Sequence, residues 1–351
     1  MAQYPTGKKK IFYPKGKKSS PRKKLDPNLF VLRSLLQASP HYVSGNYLAD
    51  RLKMSRVGVW SRVDKLRKAG LSIEASQNRG YRLAGEPDVL VRPLLEAWLR
   101  ECKIDLPVHL LELSDSTNSE AERLLAMGHE APFAVLSQKQ TKGRGRMGKT
   151  WHSPKVGNLY LSIALRPNVE LLKFRNFTLW QGISIGKFLR NHTGIENLLV
   201  KWPNDLIANN KKLGGMLTEA SIDCDQVRSI VFGIGLNINS SPSDFPEEIK
   251  KRSTSLKEIS QLSWRMHEIA AKIIKVSLKA SQECILGTAD PLLMNEWQSM
   301  DFLSGRRVKI KNGKASYSGK ADGIDPSGGL LIKLRNGRHK IAHAGEVSLI
   351  P

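Results

Sequence analysis

The segment Lys142–Trp151, KGRGRMGKTW, sets four cationic side chains among three glycines and closes on a tryptophan. Glycines let backbone N–H groups close around an anion, while Arg144, Arg146 and Lys149 supply charge. The segment is expected to be neither a Walker A loop nor a dinucleotide loop that opens a helix. On its own it could equally be an RNA-binding RG segment. Lys201 follows three apolar residues in LLVKWPNDL. A lysine turned inward there needs an anionic partner, because burying an unpaired ammonium is costly. A ligand carboxylate or phosphate is the obvious candidate. Asn204 and Asp205, just beyond, could hydrogen-bond or hold a metal ion. Ser116, Thr117 and Asn118 gather polar groups where a helix starts and N–H groups point outward. Capping alone would account for two of them, and Thr117 with Glu120 has capping-box spacing. The paired glycines of KLGGML, Lys212–Leu217, suggest close approach by a ligand. GIGLNIN alternates Asn237 and Asn239 with apolar residues at the end of a strand.

Four segments must position these groups. Residues 1–27 form a basic tail: nine Lys/Arg lie between Lys8 and Lys24 and no acid precedes Asp26, so the tail is expected to be disordered. It reads as a solubilising extension or as a sequence-blind arm for phosphates. Residues 28–86 read as a winged helix-turn-helix. Leu29, Leu32, Leu35 and Leu36 make one helical stripe, Ser55 is a good N-cap, and the next helix turns Val59, Val63 and Leu66 inward. Arg56, Ser61, Arg62 and Lys65 lie on its outer face, and Gln77–Gly80 joins two wing strands. Arg56, Arg62 and Arg79 are the candidate DNA contacts. Residues 87–302 are mixed α/β. DSTNSEAERLLAMG and KFRNFTLWQGISIGKFLRNHTG read as helices, and FAVLSQKQ, NLYLSIALRP, LLVKW, DLIANNKKLGGMLTEASI and SIVFGIGLNIN as strands. Residues 303–351 carry a turn signal every eight to ten residues and read as a small, SH3-like β-barrel.

Of the 351 residues, 40% are hydrophobic and 25% charged, as in ordinary globular proteins, but the formal net charge is +24. That balance favours polyanionic partners. Three scattered cysteines, without a CxxC pair, speak against a disulfide scaffold or structural zinc. With no signal-like start and no apolar run of roughly 18 residues, a cytoplasmic protein without a membrane span is expected.

Taken in order, DSTN, QTKGRGRMGKTWHSPKVGNLYLS, KWPNDL, KKLGGMLTE and GIGLNIN resemble the biotin–protein ligases, and the winged helix makes the chain similar to the bifunctional form that also represses biotin genes. The resemblance runs from about Asn28 to the C-terminus. It implies an α/β (α+β) catalytic domain of the class II synthetase-like type. It also implies activation of biotin by Mg2+-ATP to biotinyl-5′-AMP and transfer to a lysine of the biotin carboxyl carrier protein of acetyl-CoA carboxylase. Ser116, Thr117, Asn118, Gln140, Arg144, Gly145, Arg146 and Lys201 match the family's biotin-site residues, with Lys201, Arg144 and Arg146 in the catalytic role. Arg146, Trp151, Asn204 and Asn237 are carried over to the nucleotide, and no protein metal site is implied. Operator DNA and a ligand-promoted homodimer are the further partners. The loop is expected to order over its ligand and keep water from the mixed anhydride. Lys149 stands where Arg is common in the family, which keeps the charge but loses the bidentate fork. The last strand, EVSLI, carries no base, so no C-terminal cation is expected at the nucleotide. A lipoate-class ligase and a non-enzymatic regulator are the competing readings. The GRGRMGKTW and KWPND pair weighs against the first, and intact Lys201 and loop arginines against the second.

Overall fold

The computed structural model describes residues 26–154, 156–313 and 315–350; the basic tail before Asp26 lies outside them. The N-terminal part holds α1 (Pro27–Ala38), α2 (Gly45–Leu52), α3 (Arg56–Lys68) and the wing strands β1 (Ser72–Ser76) and β2 (Gly80–Gly85). The Ser55 hydroxyl accepts from Gly58 N at 3.1 Å, which starts α3 as a good N-cap should. Val31, Leu32, Leu35, Val59, Val63 and Leu66 fill the core beneath. Arg56 and Lys65 are exposed, while Ser61 and Arg62 are half-buried. At the wing tip the Arg79 guanidinium lies 4.6 Å above the Tyr42 ring.

The central part begins with α4 (Arg92–Glu101), which is buried on both sides. Leu94 and Ala97 face the winged-helix core, and Leu95 and Leu99 face the next one. The elements β3 (Val108–Leu111), α5 (Thr117–Ala126), β4 (Phe133–Ser137), β5 (Asn158–Leu165), β6 (Val169–Glu170) and α6 (Phe177–Thr193) follow. Then come β7 (Leu199–Lys201), β8 (Asp205–Ala208), β9 (Lys211–Asp223) and β10 (Gln226–Asn237). The helices α7 (Glu247–Lys250), α8 (Leu256–Ser260), α9 (Met266–Ile285) and α10 (Asp290–Gln298) close this part. One eight-stranded sheet runs β3-β4-β5-β10-β9-β8-β7, with β6 also paired to β10. Only β3–β4 is parallel among its described pairs.

Side chains alternate across a strand. Leu159, Leu161 and Ile163 of β5, with Phe232, Ile234 and Leu236 of β10, join α6 and α9 in the main core. Tyr160, Ser162, Gly233, Gly235 and Asn237 therefore face the other way, and that second face carries the polar groups. DLIANNKKLGGMLTEASI is two strands rather than one, because Asn209 and Asn210 both take positive φ (49° and 59°) in the tight turn between β8 and β9. The long helix also starts later than its apolar pattern suggests, at Phe177. Asn176 is drawn off the helix by bonds to Asp290 Oδ1 (2.9 Å) and Pro326 O (3.2 Å).

The C-terminal part is five antiparallel strands, β11 (Arg307–Asn312), β12 (Ala315–Ile324), β13 (Leu330–Lys333), β14 (His339–Ala342) and β15 (Glu346–Leu349), ordered β14-β13-β12-β11-β15. Val308, Ile310, Ala321, Leu330 and Ile332 join the main core, so this part shares one apolar core with the central one.

Candidate active site

A cavity of about 490 Å³ opens on the polar face of the large sheet. Ser116, Thr117, Asn118, Gln140, Arg144, Gly145, Arg146, Trp151, Lys201, Asn204 and Asn237 all line it, although more than a hundred residues separate the first from the last. Arg56, Arg62 and Arg79 lie elsewhere, on the winged helix.

At one end a polar chain joins α5 to the sheet. The Ser162 hydroxyl, fully buried on β5, is 2.8 Å from Thr117 Oγ1 and 2.6 Å from Asn118 Oδ1. Asn118 Nδ2 donates to Glu219 Oε2 at 2.7 Å, and Gln140 Nε2 donates to Ser153 Oγ at 2.9 Å. The expected capping box is absent. Helix α5 starts at Thr117, and Thr117 N donates across space to Gln140 Oε1 (2.8 Å). A side chain from the loop after β4 thus meets the first turn of the helix. Asp115 braces the same turn, accepting from Ser116 N at 2.7 Å and pairing with Arg123 at 2.7 Å. The Arg123 guanidinium holds the Asp115 carboxyl down at about 2.

The glycine segment is a hairpin. Trp151 N donates to Gly143 O (2.8 Å) and Gly145 N to Lys149 O (2.7 Å), with Arg146–Gly148 forming the bend. The letters from Gly143 to Thr150 do satisfy G-x-x-x-x-G-K-T, but the segment runs on into β5 with no helix, so the P-loop geometry is missing. Arg144 pairs with Glu219 and reaches Glu122, and Lys149 pairs with Glu346 of β15. The C-terminal part thus meets the loop with a carboxylate.

Trp151 lies on a glycine floor. A Cβ on Gly235 would fall 2.4 Å from its indole, and one on Gly215 would fall 3.0 Å away. The close approach read from the paired glycines is therefore made by Trp151, and a Cβ on Gly233 would likewise strike Asn118 Oδ1 at 2.1 Å. The Lys212 ammonium sits 5.3 Å from the Trp151 ring centre, and the buried indole N–H has no partner among the described residues.

Lys201 ends β7 opposite Asp205 of β8, with Trp202–Asn204 as the turn between them. Asp205 is taken by Lys212 at 2.7 Å, and no described carboxylate lies within 4.0 Å of the Lys201 amine. Burial, and secondarily the neighbouring Lys212 and Lys149, lower its pKa against the pull of Asp205. Burial lowers that of Arg146 too. Arg146 lies 3.5 Å from Asn204 Oδ1, and Asn204 Nδ2 donates to Met216 O at 2.5 Å. Among the described residues six Lys/Arg line the cavity, including Lys212 and Arg252, against the carboxylates Asp205 and Glu346. Such a site can hold two anions side by side and cancel their repulsion. No group of three or more His, Cys, Asp or Glu side chains suited to a metal ion is present among the described residues.

Sequence reasoning missed Ser162, Lys212, Glu219, Arg252 and Glu346. Alternation along β9 puts Glu219 on the face of Gly215, a usable signal. Nothing local marks Arg252, which lies in a turn after α7, or Glu346. Asn239 is structural: it bonds to Asp88 Oδ1 (3.2 Å) and Trp264 O (2.8 Å) rather than lining the cavity.

Family profiles match the chain in order: an HTH domain over residues 29–82, the Biotin/lipoate A/B protein ligase family over 110–237 and the Biotin protein ligase C terminal domain over 303–350. The bifunctional ligase/repressor BirA of Bacillus subtilis is 32% identical over 88% of this chain and 94% of its own length. The chain belongs to the biotin protein ligase family. Its Escherichia coli counterpart, also a bifunctional ligase/repressor, is 29% identical over 90% of this chain and 95% of its own. Among solved structures, the biotin protein ligase from Aquifex aeolicus in complex with biotin and ATP is 32% identical and superposes with a TM-score of 0.58. That match covers 70% of this chain and 98% of that one. The family expected from the motifs is thus the family found, and the winged helix and the C-terminal sheet each fall within their own profile. Among the described residues no helix is long and apolar enough to cross a membrane.

Proposed function

We propose that this protein is a cytoplasmic, ATP-dependent biotin protein ligase. It forms biotinyl-5′-AMP from biotin and ATP, releases pyrophosphate, and transfers biotin to a lysine of the biotin carboxyl carrier protein of acetyl-CoA carboxylase. The supporting observation is Lys201: a half-buried cation with no carboxylate within 4.0 Å among the described residues, in the wall of a cavity already rich in Lys and Arg. In activation, a biotin carboxylate oxygen attacks the α-phosphorus of ATP and the bond to pyrophosphate breaks. Lys201 and Arg146 draw the two anions together, and positioned charges of this kind carry much of catalysis in water-poor sites. Ser116, Thr117, Asn118 and Gln140 orient biotin. Trp151, Asn204 and Asn237 face the nucleotide, and the hairpin bearing Arg144 and Gly145 covers both. Mg2+ enters as part of the Mg-ATP substrate, held chiefly by its phosphates. The deciding assay is ATP-dependent transfer of labelled biotin, with labelled lipoate in parallel, to a carrier domain. Biotin transfer with no lipoate transfer is expected; preference for lipoate would overturn the reading.

The winged helix makes the protein a biotin-responsive repressor as well. A single module buries only about 600–1,000 Å² of protein surface on DNA, at or below the low end for specific interfaces, and a dimer reading two half-sites doubles that contact. Biotinyl-5′-AMP promotes this homodimer through the central sheet, and the dimer binds a palindromic operator through Arg56, Arg62 and Arg79. Binding to specific and random duplexes at moderate salt, with and without the adenylate and starting the chain near Asp26, tests this half. Equal affinity for both duplexes removes it and leaves the enzyme standing.

A further inference from the structure

The C-terminal sheet turns one face to the main core and the other outward. Val308 and Ile310 of β11, Ala321 of β12 and Ile332 of β13 point in. By alternation Arg307, Lys309, Lys311, Lys320 and Lys333 point out, and all five are exposed. Strand register sets three of them side by side. Arg307 lies opposite Lys320, Lys320 opposite Lys333, and Lys333 opposite His339, in one unbroken row from β11 to β14. At a strand spacing of about 4.8 Å the row is about 14 Å long.

Like charges directly opposite one another in a sheet are destabilising. The protein supplies little to offset them. Among the described residues no Asp or Glu oxygen lies within 4.0 Å of the Arg307, Lys309, Lys311, Lys320 or Lys333 nitrogens. The carboxylates on this face serve other cations: Asp322 pairs with His339 at 2.7 Å, and Glu346 pairs with Lys149. Residues 303–351 carry ten Lys/Arg against three Asp/Glu.

We propose that the outer face of the C-terminal sheet binds the phosphate backbone of duplex DNA without reading its sequence, as a surface separate from the winged helix. The proposal needs neither the ligase nor the repressor reading. A duplex carries about one negative charge per 1.7 Å of its axis, so a row about 14 Å long meets enough phosphates to engage every cation in it. Held on paired strands, these cations are already arranged for an extended anion.

The residues between the cations decide the class of partner. Lys309 stands between Ser318 and Ser348, and Lys311 stands opposite Ser316, so hydroxyls alternate with ammonium groups. Lys, Arg and Ser side chains are common donors to phosphate oxygens. Protein interfaces are instead depleted in Lys and Ser and centre on aromatic anchors. Tyr317, the one tyrosine of these strands, packs on the core side. The face is therefore built for a polyphosphate backbone rather than for an acidic protein. Its contact raises the occupancy of any DNA and lets the protein move along it.

The test compares the full chain with two double variants, Lys320→Gln/Lys333→Gln and Arg307→Gln/Lys309→Gln, on a random-sequence duplex over a range of salt. Each lost phosphate contact removes about 0.9 from the slope of log affinity against log salt, so each pair should flatten it by about 2. With binding equal near 1 M salt, that makes the variants about 60-fold weaker at about 0.1 M. Biotin-dependent pyrophosphate exchange and transfer to a carrier domain should stay at the wild-type level. Melting temperatures should rise at low salt as the like charges are removed. An unchanged slope in both variants would overturn the proposal. So would an unchanged slope with a raised KM for the carrier domain, which would assign the face to an acidic protein. A fall in melting temperature at low salt would remove the premise that the row is costly.

Discussion

Replacing Lys201 by Met should raise stability and remove activity together. Methionine keeps the unbranched stem that packs in β7 and deletes only the charge. In the free protein that charge is half-buried, repelled by Lys212 and Lys149, and attracted by an Asp205 that already serves Lys212 at 2.7 Å. Its folded pKa therefore lies below the ordinary lysine value, and the charged form costs stability. Relief of a poorly compensated buried charge by an apolar side chain is worth about 1–4 kcal/mol, and the lower end fits a residue only partly buried. The sign also fixes a pH dependence. As pH rises through the lowered folded pKa toward 10.5, the wild type sheds this penalty, so the advantage of Lys201→Met should shrink. Activity moves the other way. A unit charge about 4 Å from its partner, at an effective dielectric near 20, contributes about 4 kcal/mol, or about 10³-fold in rate. Adenylate formation, read as biotin-dependent pyrophosphate exchange, should fall by at least that factor. In the wild type it should decline on the alkaline side as Lys201 deprotonates, and Lys201→Arg, which keeps its charge, should lack that decline. Chemical denaturation from pH 7 to 10 gives the stability arm. A destabilised Lys201→Met variant would mean the lysine holds the fold together. Near-wild-type exchange would mean that it does not face the reacting anions.

The other predictions concern the cavity's walls. Arg144→Ala and Glu219→Gln should each speed loss of the adenylate about fivefold, since a partly exposed pair is worth up to about 1 kcal/mol; promiscuous biotinylation of nearby lysines reports the leak, and an unchanged adenylate lifetime in both would refute the hairpin's role as a cover. Gly235→Ala should push the Trp151 indole off its floor at a cost of about 1–3 kcal/mol, raising KM for ATP about tenfold; a rise confined to the biotin KM would contradict a nucleotide site there. Asp115→Asn should lose a few tenths of a kcal/mol at neutral pH, the pair with Arg123 being solvent-screened. Because the Asp115 carboxyl is held down, its stabilisation exists above pH 3.8 and disappears as pH falls through about 2, so the variant and wild type should converge in acid melts.

Local periodicity made much of this protein legible. The inward triplet Val59, Val63 and Leu66 and the Gln77–Gly80 turn gave the winged helix, because helix and hairpin patterns repeat over a few residues. The glycine segment, Lys201 and the Ser116–Asn118 cluster stood out for a related reason: charge or polarity placed where burial or disorder would otherwise make it unfavourable. Chemistry that is costly without a ligand leaves a mark in the sequence.

What sequence left open was decided by register between distant strands. The pairing of β5 with β10 aligns Ser162 with Gly233, and a Cβ at Gly233 would collide with Asn118, whose Oδ1 lies 2.6 Å from the Ser162 hydroxyl. The α5 cap comes from Gln140, and Thr117 with Glu120 does not supply it, because an oxygen brought in by the loop after β4 takes the place of one on the helix's own first turn. Glycines 215 and 235 make room for Trp151, a contact between residues far apart in the chain. Glu346 meets Lys149 only because the C-terminal sheet is docked against the KWPND turn through Trp202 and Gly328. Composition and period are properties of a short window, and they report which side chains are placed at a cost. Which of them meet is set by strand register and domain docking, and those depend on the packing of the whole chain.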